Sequence, residues 1–157
     1  SVVPLFMRLK KENAKAIPIT DPRMTRFWIT ITQGVDFVLS SLEMMQGGEI
    51  FVPRIPSMKM VEFAEALAPG IPIENIGIRP GEKLHEVMIT EDDSRKTYML
   101  EDRFAILPSF AFWEGEHKMP KGAKMVEEGF RYASDTNAEW LDHKGLFEML
   151  RASGYDL

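Results

Sequence analysis

The sequence predicts an α/β fold, because helical and extended patterns alternate through its first 90 residues. Apolar residues recur at helical spacing in several stretches, as on the buried face of an amphipathic helix. Between these stretches lie short runs of β-branched and aromatic residues, which favour strands. The pairs Gly47-Gly48 and Pro69-Gly70 separate such segments, as turn residues do. We therefore expect helices packed against a sheet.

The first part of the chain is predicted to form a helix, a short extended piece and a strand. The helix runs from Val2 to about Asn13. One face of it carries Val2, Leu5, Phe6 and Leu9. Residues 17–20 are extended and lead into the turn signal Asp21-Pro22. Phe27 to Ile31 is β-branched and aromatic, which predicts a strand.

A second helix is expected to follow, with Thr32 as its N-cap and Gly47-Gly48 at its end. Its apolar face consists of Val35, Val38, Leu39, Leu42 and Met45. Glu49 to Pro53 then predicts a buried strand.

A third helix is predicted with Ser57 as its cap and with Pro69-Gly70 as its stop. Its inner face would carry Met60, Phe63, Ala64 and Leu67. An extended segment from Ile73 to Ile78 then leads to Arg79.

The last third of the chain is patterned less regularly. Thr97 to Leu107 alternates imperfectly and predicts strands, whereas Pro108 to Gly122, which contains His117, is predicted to be irregular and His117 exposed. Phe130 to Tyr132 predicts a small edge strand. Asp142 is expected to cap a final helix. Its inner face would carry Leu146, Met149 and Leu150, with Gly154 just past its end.

Length and composition exclude several classes of protein. The chain has 157 residues, which suits one domain, and we predict a single unit over residues 1–157. A net charge of −5 without any basic run argues against a nucleic-acid-binding surface. The absence of cysteine excludes disulfides and thiolate metal sites.

No apolar stretch approaches the roughly 20 residues that span a bilayer, so we expect a cytoplasmic protein. Because the chain begins with Ser1 and enters helical sequence at once, we interpret it as a fragment.

The stretch from Ile78 to Glu86 combines a fixed turn with five ionisable side chains. Pro80 fixes its own φ and pushes Arg79 toward an extended conformation, while Gly81 permits a sharp bend. Leu84, Val87 and Met88 recur at helical spacing, which predicts a short helix from about Glu82. Arg79 would then present its planar guanidinium to a phosphate or carboxylate. For this motif in isolation, a surface ion pair of Arg79 with Glu82 or Glu86 is the favoured alternative.

Four segments in order carry a family resemblance. They are Asp21–Thr30, Gly47–Pro53, Ile55–Met58 and Gly77–Glu86. Together they resemble the C-terminal half of the inverting UDP-N-acetylglucosamine 4,6-dehydratases, which are extended short-chain dehydrogenases of polysaccharide biosynthesis. The resemblance runs from Ser1 to the terminal helix and is strong up to about Asp93.

The resemblance implies a fold and a substrate site. The chain would supply the end of a Rossmann-type sheet and a small α+β substrate lobe, with the N-terminal dinucleotide-binding half absent. By similarity to extended dehydrogenases, Arg26 and Arg79 would contact the diphosphate of the UDP-sugar. Glu82 would hold ribose hydroxyls, Thr20 would contact the uridine, and Val2 would pack on the substrate. Arg23 is a weaker candidate, since it is equally well placed to pair with Asp21.

The catalytic chemistry implied by the family is missing from this chain. The glycines never reach the spacing of a dinucleotide fingerprint, and no Tyr-x-x-x-Lys pair is present. NADP would therefore be bound by the missing half, and the fragment alone would be inactive, with no catalytic residue and no cofactor-binding residue of its own. No metal site is expected, because His85-Glu86 lacks the second histidine of a zinc motif and Glu91-Asp92-Asp93 lacks the spacing of a calcium loop.

The implied activity leaves alternatives open. The parent enzyme would dehydrate UDP-N-acetylglucosamine for pseudaminic acid or surface-polysaccharide synthesis, and it would form a homo-oligomer when full length. A UDP-sugar 4-epimerase or an epimerising dehydratase of capsule synthesis would use the same binding segments. A stand-alone, non-catalytic binding module is an alternative of a different class.

Overall fold

A computed structural model of the protein describes residues 2–110 and 118–156. The helices are α1 (Val2–Lys11), α2 (Ile31–Met44), α3 (Met60–Leu67) and α4 (His143–Ala152). The strands are β1 (Ile17–Ile19), β2 (Thr25–Phe27), β3 (Ile50–Pro53), β4 (Ser57–Lys59), β5 (Ile73–Asn75), β6 (Val87–Ile89), β7 (Thr97–Met99), β8 (Arg103–Ile106), β9 (Lys124–Met125) and β10 (Tyr132–Ala133). His117 and part of the segment predicted to be irregular, Pro108 to Gly122, lie outside the described residues.

The chain divides into two compact units. The first comprises residues 1–28, 56–86 and 134–157, and the second comprises residues 29–55 and 87–133. That residues 1–157 act together as one substrate-binding part stays a prediction. None of the helices in the described residues is long and apolar enough to span a membrane.

The first unit contains the larger hydrophobic core. Phe63 of α3 is fully buried, and its ring contacts those of Phe6 (centroids 5.5 Å apart) and Trp28 (4.4 Å). Leu146 and Leu150 of α4 are buried in the same cluster. Strands β1 and β5 pair in parallel, and β2 and β4 pair antiparallel. Burial of these side chains is what holds the short strands in place, since strands of three residues add few hydrogen bonds.

The second unit is built on a four-stranded antiparallel sheet in the order β3-β8-β7-β9, and β6 pairs separately with β10. Arg103 of β8 is buried against α2, with its guanidinium over the ring of Phe37. It donates to the hydroxyls of Ser40 and Ser41 at 2.7 Å and to the carboxylate of Asp102. This bonding holds the pKa of Asp102 below its usual value. Arg103 therefore ties α2 to the sheet.

Several predicted elements are confirmed. The first, third and last helices form, and Met60, Phe63, Ala64 and Leu67 are all buried. The side chain of Asp142 accepts the N–H of Gly145 and so caps α4. The strands predicted within Thr97–Leu107 are β7 and β8. Parallel and antiparallel pairs occur together, so the predicted α/β class is confirmed.

The start of α2 was predicted wrongly. The strand ends at Phe27, and the N-cap of the helix is Thr30, not Thr32. The Thr30 side chain accepts the N–H of Gln33, and the Gln33 side chain accepts the N–H of Thr30, which completes a capping box. Of the two threonines, only Thr30 has a glutamine at the third helical position, so the sequence already contained the capping-box signal that favours Thr30.

Two other local predictions were also wrong. Ser57 does not cap α3, because it lies in β4 opposite Phe27. No helix starts at Glu82, because Val87–Ile89 form β6 and pair with Tyr132–Ala133. This pairing joins segments more than 40 residues apart, and local spacing does not reveal such a partner.

The second helix and the strand after it are more exposed than their apolar sequence suggests. The apolar face of α2 is about half exposed, with Val38 at 56% and Leu42 at 57%. The strand predicted to be buried, Glu49 to Pro53, forms β3 at an edge of the sheet, where Ile50 is 61% exposed and Val52 is buried. Both surfaces belong to the second unit.

Candidate functional site

Residues Arg79 to Glu82 form a tight turn in the first unit. The N–H of Glu82 donates to the carbonyl of Arg79 at 3.0 Å, and Gly81 has a φ of +81°. Pro in the second position and a positive-φ Gly in the third are the residues that a type II turn requires. The Glu82 carboxylate also accepts the N–H of Arg79 at 3.2 Å. Both polar backbone groups of Arg79 are thus fixed by Glu82.

The guanidinium of Arg79 is exposed and projects from this fixed backbone. Among the described residues, it makes no hydrogen bond or ion pair, so the alternative in which it pairs with Glu82 or Glu86 is wrong for this structure. Five N–H donors therefore remain for an external anion. A guanidinium binds phosphate or carboxylate oxygens in a bidentate manner.

Arg26 of β2 is engaged differently, since it clamps the chain just after the turn. Its Nη1 donates to the carbonyls of Thr25 (2.7 Å) and Leu84 (3.1 Å), and its Nη2 donates to the carbonyl of Lys83 (2.7 Å). Its Nε lies 3.4 Å from the Glu86 carboxylate. Within the described part of the chain, this leaves one Nη2 N–H for a ligand. Arg26 therefore holds the loop that follows Glu82, a role that the sequence did not predict.

Thr20 and the Arg79 turn leave the same edge of the β1–β5 pair. Ile19 and Asn75, the last residues of the two parallel strands, are in register, and the N–H of Ile76 donates to the carbonyl of Ile19 at 2.9 Å. The carboxyl ends of parallel strands are where open α/β sheets bind ligands. The hydroxyl of Thr20 donates to the sulfur of Met24 at 3.4 Å, a weak bond that a ligand can replace.

Two further candidates are placed away from the turn itself. Val2 lies at the start of α1, partly buried against the hydrophobic core. Arg23 forms a two-pronged pair with Asp21, with N–O distances of 3.0 and 2.8 Å, as the alternative interpretation proposed. This pair, together with the N–H of Arg23, lowers the pKa of Asp21 to about 2.

A buried polar cluster lies behind the turn and was missed by the sequence analysis. Thr25 and Ser134 are buried, and their hydroxyl oxygens are 2.6 Å apart. The Thr25 hydroxyl also lies 2.8 Å from Nδ1 of His85. Ser134 is 109 residues from Thr25 in the sequence, and no motif surrounds it. Only the fold brings these three side chains together.

A metal ion and a dinucleotide each require a particular arrangement of protein groups. Within residues 2–110 and 118–156, no cluster of three or more histidine, cysteine or acidic side chains could hold a metal ion. In the same residues, no positive-φ glycine lies at the junction between a strand and the α-helix that follows it. The pyrophosphate cradle of a dinucleotide fold needs such a junction. What the described residues present is an exposed arginine for an anion, with the Glu82 carboxylate in the same turn.

Comparison with known proteins shows the family to which the chain is similar. The profile of a family described as "Polysaccharide biosynthesis protein" matches residues 1–108. An inverting UDP-N-acetylglucosamine 4,6-dehydratase of Campylobacter jejuni serotype O:2 is 52% identical over 96% of this chain and 46% of the relative. The corresponding protein of serotype O:23/36 is 50% identical with the same coverage. The chain thus spans about half the length of these curated relatives, and it matches their C-terminal part.

More distant matches extend the comparison. A UDP-glucose 4-epimerase of Rickettsia conorii is 36% identical over 68% of this chain and 32% of the relative. The X-ray structure of Pen from Bacillus thuringiensis superimposes with a TM-score of 0.80, covering 98% of this chain and 46% of that chain at 30% identity. The predicted fold class is confirmed by this structural match.

Proposed function

The chain belongs to the polysaccharide biosynthesis protein family, and on that premise we propose that it is the substrate-binding part of an inverting UDP-N-acetylglucosamine 4,6-dehydratase. Its curated relatives at 50–52% identity carry that name. The observation that carries the proposal is the guanidinium of Arg79, which pairs with none of the described residues and is exposed on a turn whose backbone is fixed. A nucleoside diphosphate has concentrated negative charge and planar-accessible oxygens, which suit such a group.

Each predicted site residue has a proposed role. Arg79 binds the diphosphate, and Glu82 accepts hydrogen bonds from ribose hydroxyls through the capacity that its carboxylate retains after bonding the N–H of Arg79. Thr20 contacts the uridine from the adjacent strand end, and Val2 packs on the substrate. Arg26 offers the diphosphate one N–H at most, so its main contribution is to hold the loop from Lys83 to Glu86.

The remaining features of the complete enzyme belong to the same proposal. NADP would be bound by a portion of the protein outside this chain, since the described residues do not fit it. We also propose that the complete enzyme is cytoplasmic and homo-oligomeric, and that its product feeds pseudaminic acid or surface-polysaccharide synthesis.

The test is a calorimetric titration of UDP into the complete protein that contains this chain. Arg79→Ala should weaken UDP binding at least 10-fold, since truncating one partner of such a charge pair costs about 2–5 kcal/mol. Arg151→Ala is the matched control, because it removes an exposed arginine from α4 of the same unit. Unchanged UDP affinity in a folded Arg79→Ala protein would contradict the proposed site.

A UDP-sugar 4-epimerase is the second candidate function, and the match to the Rickettsia conorii epimerase favours it. Both enzymes must bind the UDP group in the same way, so only an analysis of the reaction product distinguishes them. Incubating the complete protein with UDP-N-acetylglucosamine gives a keto-sugar lighter by one water if it is a dehydratase. A product of unchanged mass with the opposite configuration at carbon 4 identifies an epimerase, and binding without turnover identifies a non-catalytic module.

A further inference from the structure

The Arg79 turn is fixed internally, but its position depends on the segments at its two ends. At one end, Ile76 bonds to Ile19, the last residue of β1. At the other end, residues 84–86 are attached to β2 and to Ser134. The N–H of Thr25 donates to the carbonyl of Leu84 at 3.2 Å. The N–H of Ser134 donates to the carbonyl of Glu86 at 2.9 Å, while the N–H of Glu86 donates to the Ser134 hydroxyl at 2.9 Å. Anything that moves residues 84–86 therefore moves Arg79.

We infer that the hydrogen-bonded side chains of Thr25, His85 and Ser134 are positioning residues for Arg79, which they hold in the orientation that binds the diphosphate. This inference rests on the proposed function. The three side chains do not contact the ligand in it; they act through the loop from Leu84 to Glu86. Thr25 is central, because its hydroxyl contacts both Ser134 (2.6 Å) and His85 (2.8 Å).

The two hydroxyls of the network each lie within hydrogen-bond distance of several polar atoms. The N–H of Glu86 donates to the Ser134 hydroxyl oxygen at 2.9 Å. The Ser134 hydroxyl lies 2.6 Å from the Thr25 hydroxyl and 3.2 Å from the Thr25 carbonyl oxygen, and the Thr25 hydroxyl lies 2.8 Å from Nδ1 of His85. The Thr25 hydroxyl therefore has two polar side-chain partners, and the Ser134 hydroxyl bonds the Glu86 N–H in addition to Thr25. Because Thr25 and Ser134 are buried, water cannot replace a lost partner, and removal of one hydroxyl leaves its neighbours unsatisfied.

The network lies on a rigid base. Thr25 belongs to β2, where it is in register with Lys59 of β4, and the neighbouring Met24 carbonyl accepts the N–H of Met60 at the start of α3. The side chain of Met24 is itself buried in the hydrophobic core. The network thus connects a strand anchored in the core to residues 84–86, which follow the exposed Arg79 turn, and such a connection is what a positioning role requires.

The test compares Thr25→Val with Thr25→Ser in the complete protein, by calorimetric titration of UDP and by thermal unfolding. Thr25→Val keeps the shape of the side chain and removes the hydroxyl, so UDP should bind about tenfold more weakly, as expected for the loss of one to two hydrogen bonds. Thr25→Ser retains the hydroxyl and should bind UDP within about threefold of the unmodified protein. Ser134→Ala should reproduce the Thr25→Val result and provides a second route if Thr25→Val does not fold.

A matched control separates positioning from general destabilisation. Ser57 is equally buried in the same unit, and its hydroxyl accepts a hydrogen bond from Asn137 at 3.0 Å. Ser57→Ala should lower the unfolding temperature and leave UDP affinity unchanged. In the Arg79→Ala background, Thr25→Val should cost no further affinity, because the residue that it positions is gone.

The outcomes distinguish the inference from the function on which it rests. If Arg79→Ala impairs UDP binding while Thr25→Val and Ser134→Ala do not, the positioning role is overturned and the proposed function stands. If Ser57→Ala weakens UDP binding as much as Ser134→Ala does, the effect is general instability and the inference is again overturned. If Arg79→Ala binds UDP normally, the proposed function and the inference both fail.

Discussion

The carboxylate of Glu82 accepts the backbone N–H of Arg79 at 3.2 Å, while the N–H of Glu82 donates to the Arg79 carbonyl at 3.0 Å. In the alternative interpretation the two residues would pair through their charged side chains, but in the structure they interact through the backbone of Arg79. The Glu82 carboxylate thus fixes the backbone of Arg79 and does not form an ion pair with its guanidinium. This arrangement also explains how an exposed turn can present a guanidinium in a defined direction.

The turn should depend on the absence of a side chain at Gly81. Its φ of +81° strains any L-residue, although a Cβ there would meet nothing within 4 Å. Gly81→Ala therefore costs about 1–2 kcal/mol of conformational energy, and the turn can relieve it only by redirecting Arg79. We expect UDP affinity to fall about tenfold, the equivalent of about 1.4 kcal/mol, in calorimetric titration.

Gly70→Ala is the control for Gly81→Ala. Gly70 has a φ of +83°, the same open surroundings and a position in the same unit, after α3. Gly70→Ala should lower the free energy of unfolding by a similar amount and leave the affinity for UDP unchanged. Equal UDP affinities for the two variants would show that the Arg79 turn does not orient a ligand group.

Arg26→Lys should show whether Arg26 mainly holds the loop from Lys83 to Glu86 or mainly binds the diphosphate. A lysine cannot bond the carbonyls of Thr25, Lys83 and Leu84 at once, so the loop loses its clamp. We expect the free energy of unfolding to fall by about 1–3 kcal/mol, as for lost bonds to a charged group. The loss of UDP affinity should be smaller than in Arg79→Ala. Calorimetry and urea unfolding measure the two effects, and a larger affinity loss in Arg26→Lys would reverse the assignment.

Asp21 should make stability depend on pH in the acid range. Its pKa is lowered by Arg23 from 3.8 to about 2 in the folded protein, so folding favours the ionised carboxyl. The stabilisation is fully present above the unfolded pKa and is lost as the pH falls from about 4 toward 2. The effect is small, because the Arg23 side chain is 71% exposed.

Asp21→Asn removes that titration and keeps an oxygen that can accept the N–H of Arg23. Urea midpoints measured from pH 5 to pH 2 at constant ionic strength should therefore fall less steeply for Asp21→Asn than for the unmodified protein. Glu65→Gln neutralises an exposed carboxylate on α3 and serves as the control. Parallel curves for the unmodified and Asp21→Asn proteins would refute the contribution of the pair.

The exposed face of α2 should make the chain self-associate when it is produced by itself. Six large apolar side chains of α2 and its C-cap are at least 45% exposed. They are Ile31, Val35, Val38, Leu39, Leu42 and Met45. A contiguous apolar stripe of this kind promotes association in water. Sedimentation velocity should show species larger than a monomer.

Substitution on the same helix tests the cause of this association. Val38→Glu combined with Leu42→Lys should shift the sedimentation profile toward monomer, because both changes place charge on the stripe. Glu43→Gln, at an exposed polar position of the same helix, should not. A monodisperse monomer of the unmodified chain would count against the prediction.

The sequence alone was sufficient wherever the determining interactions are local. Pro80 and Gly81 specify their turn through their own backbone preferences, and Asp142 caps α4 through a bond that spans three residues. The buried face of α3 follows from helical spacing alone. The family resemblance also rested on short segments in order, which is why the sequence was enough to recognise it.

Only the tertiary structure decided which partners the charged and polar groups take. Glu86 pairs with Arg26 rather than Arg79, and Val87–Ile89 form a strand rather than a helix, because Tyr132–Ala133 supply a hydrogen-bonding edge. Ser134 reaches Thr25 across 109 residues of sequence. The reason is physical: local preferences amount to at most about 1 kcal/mol per residue for all residues but proline. A strand edge or a buried hydroxyl supplied from a distant part of the chain outweighs them, and such partners exist only once the chain has folded.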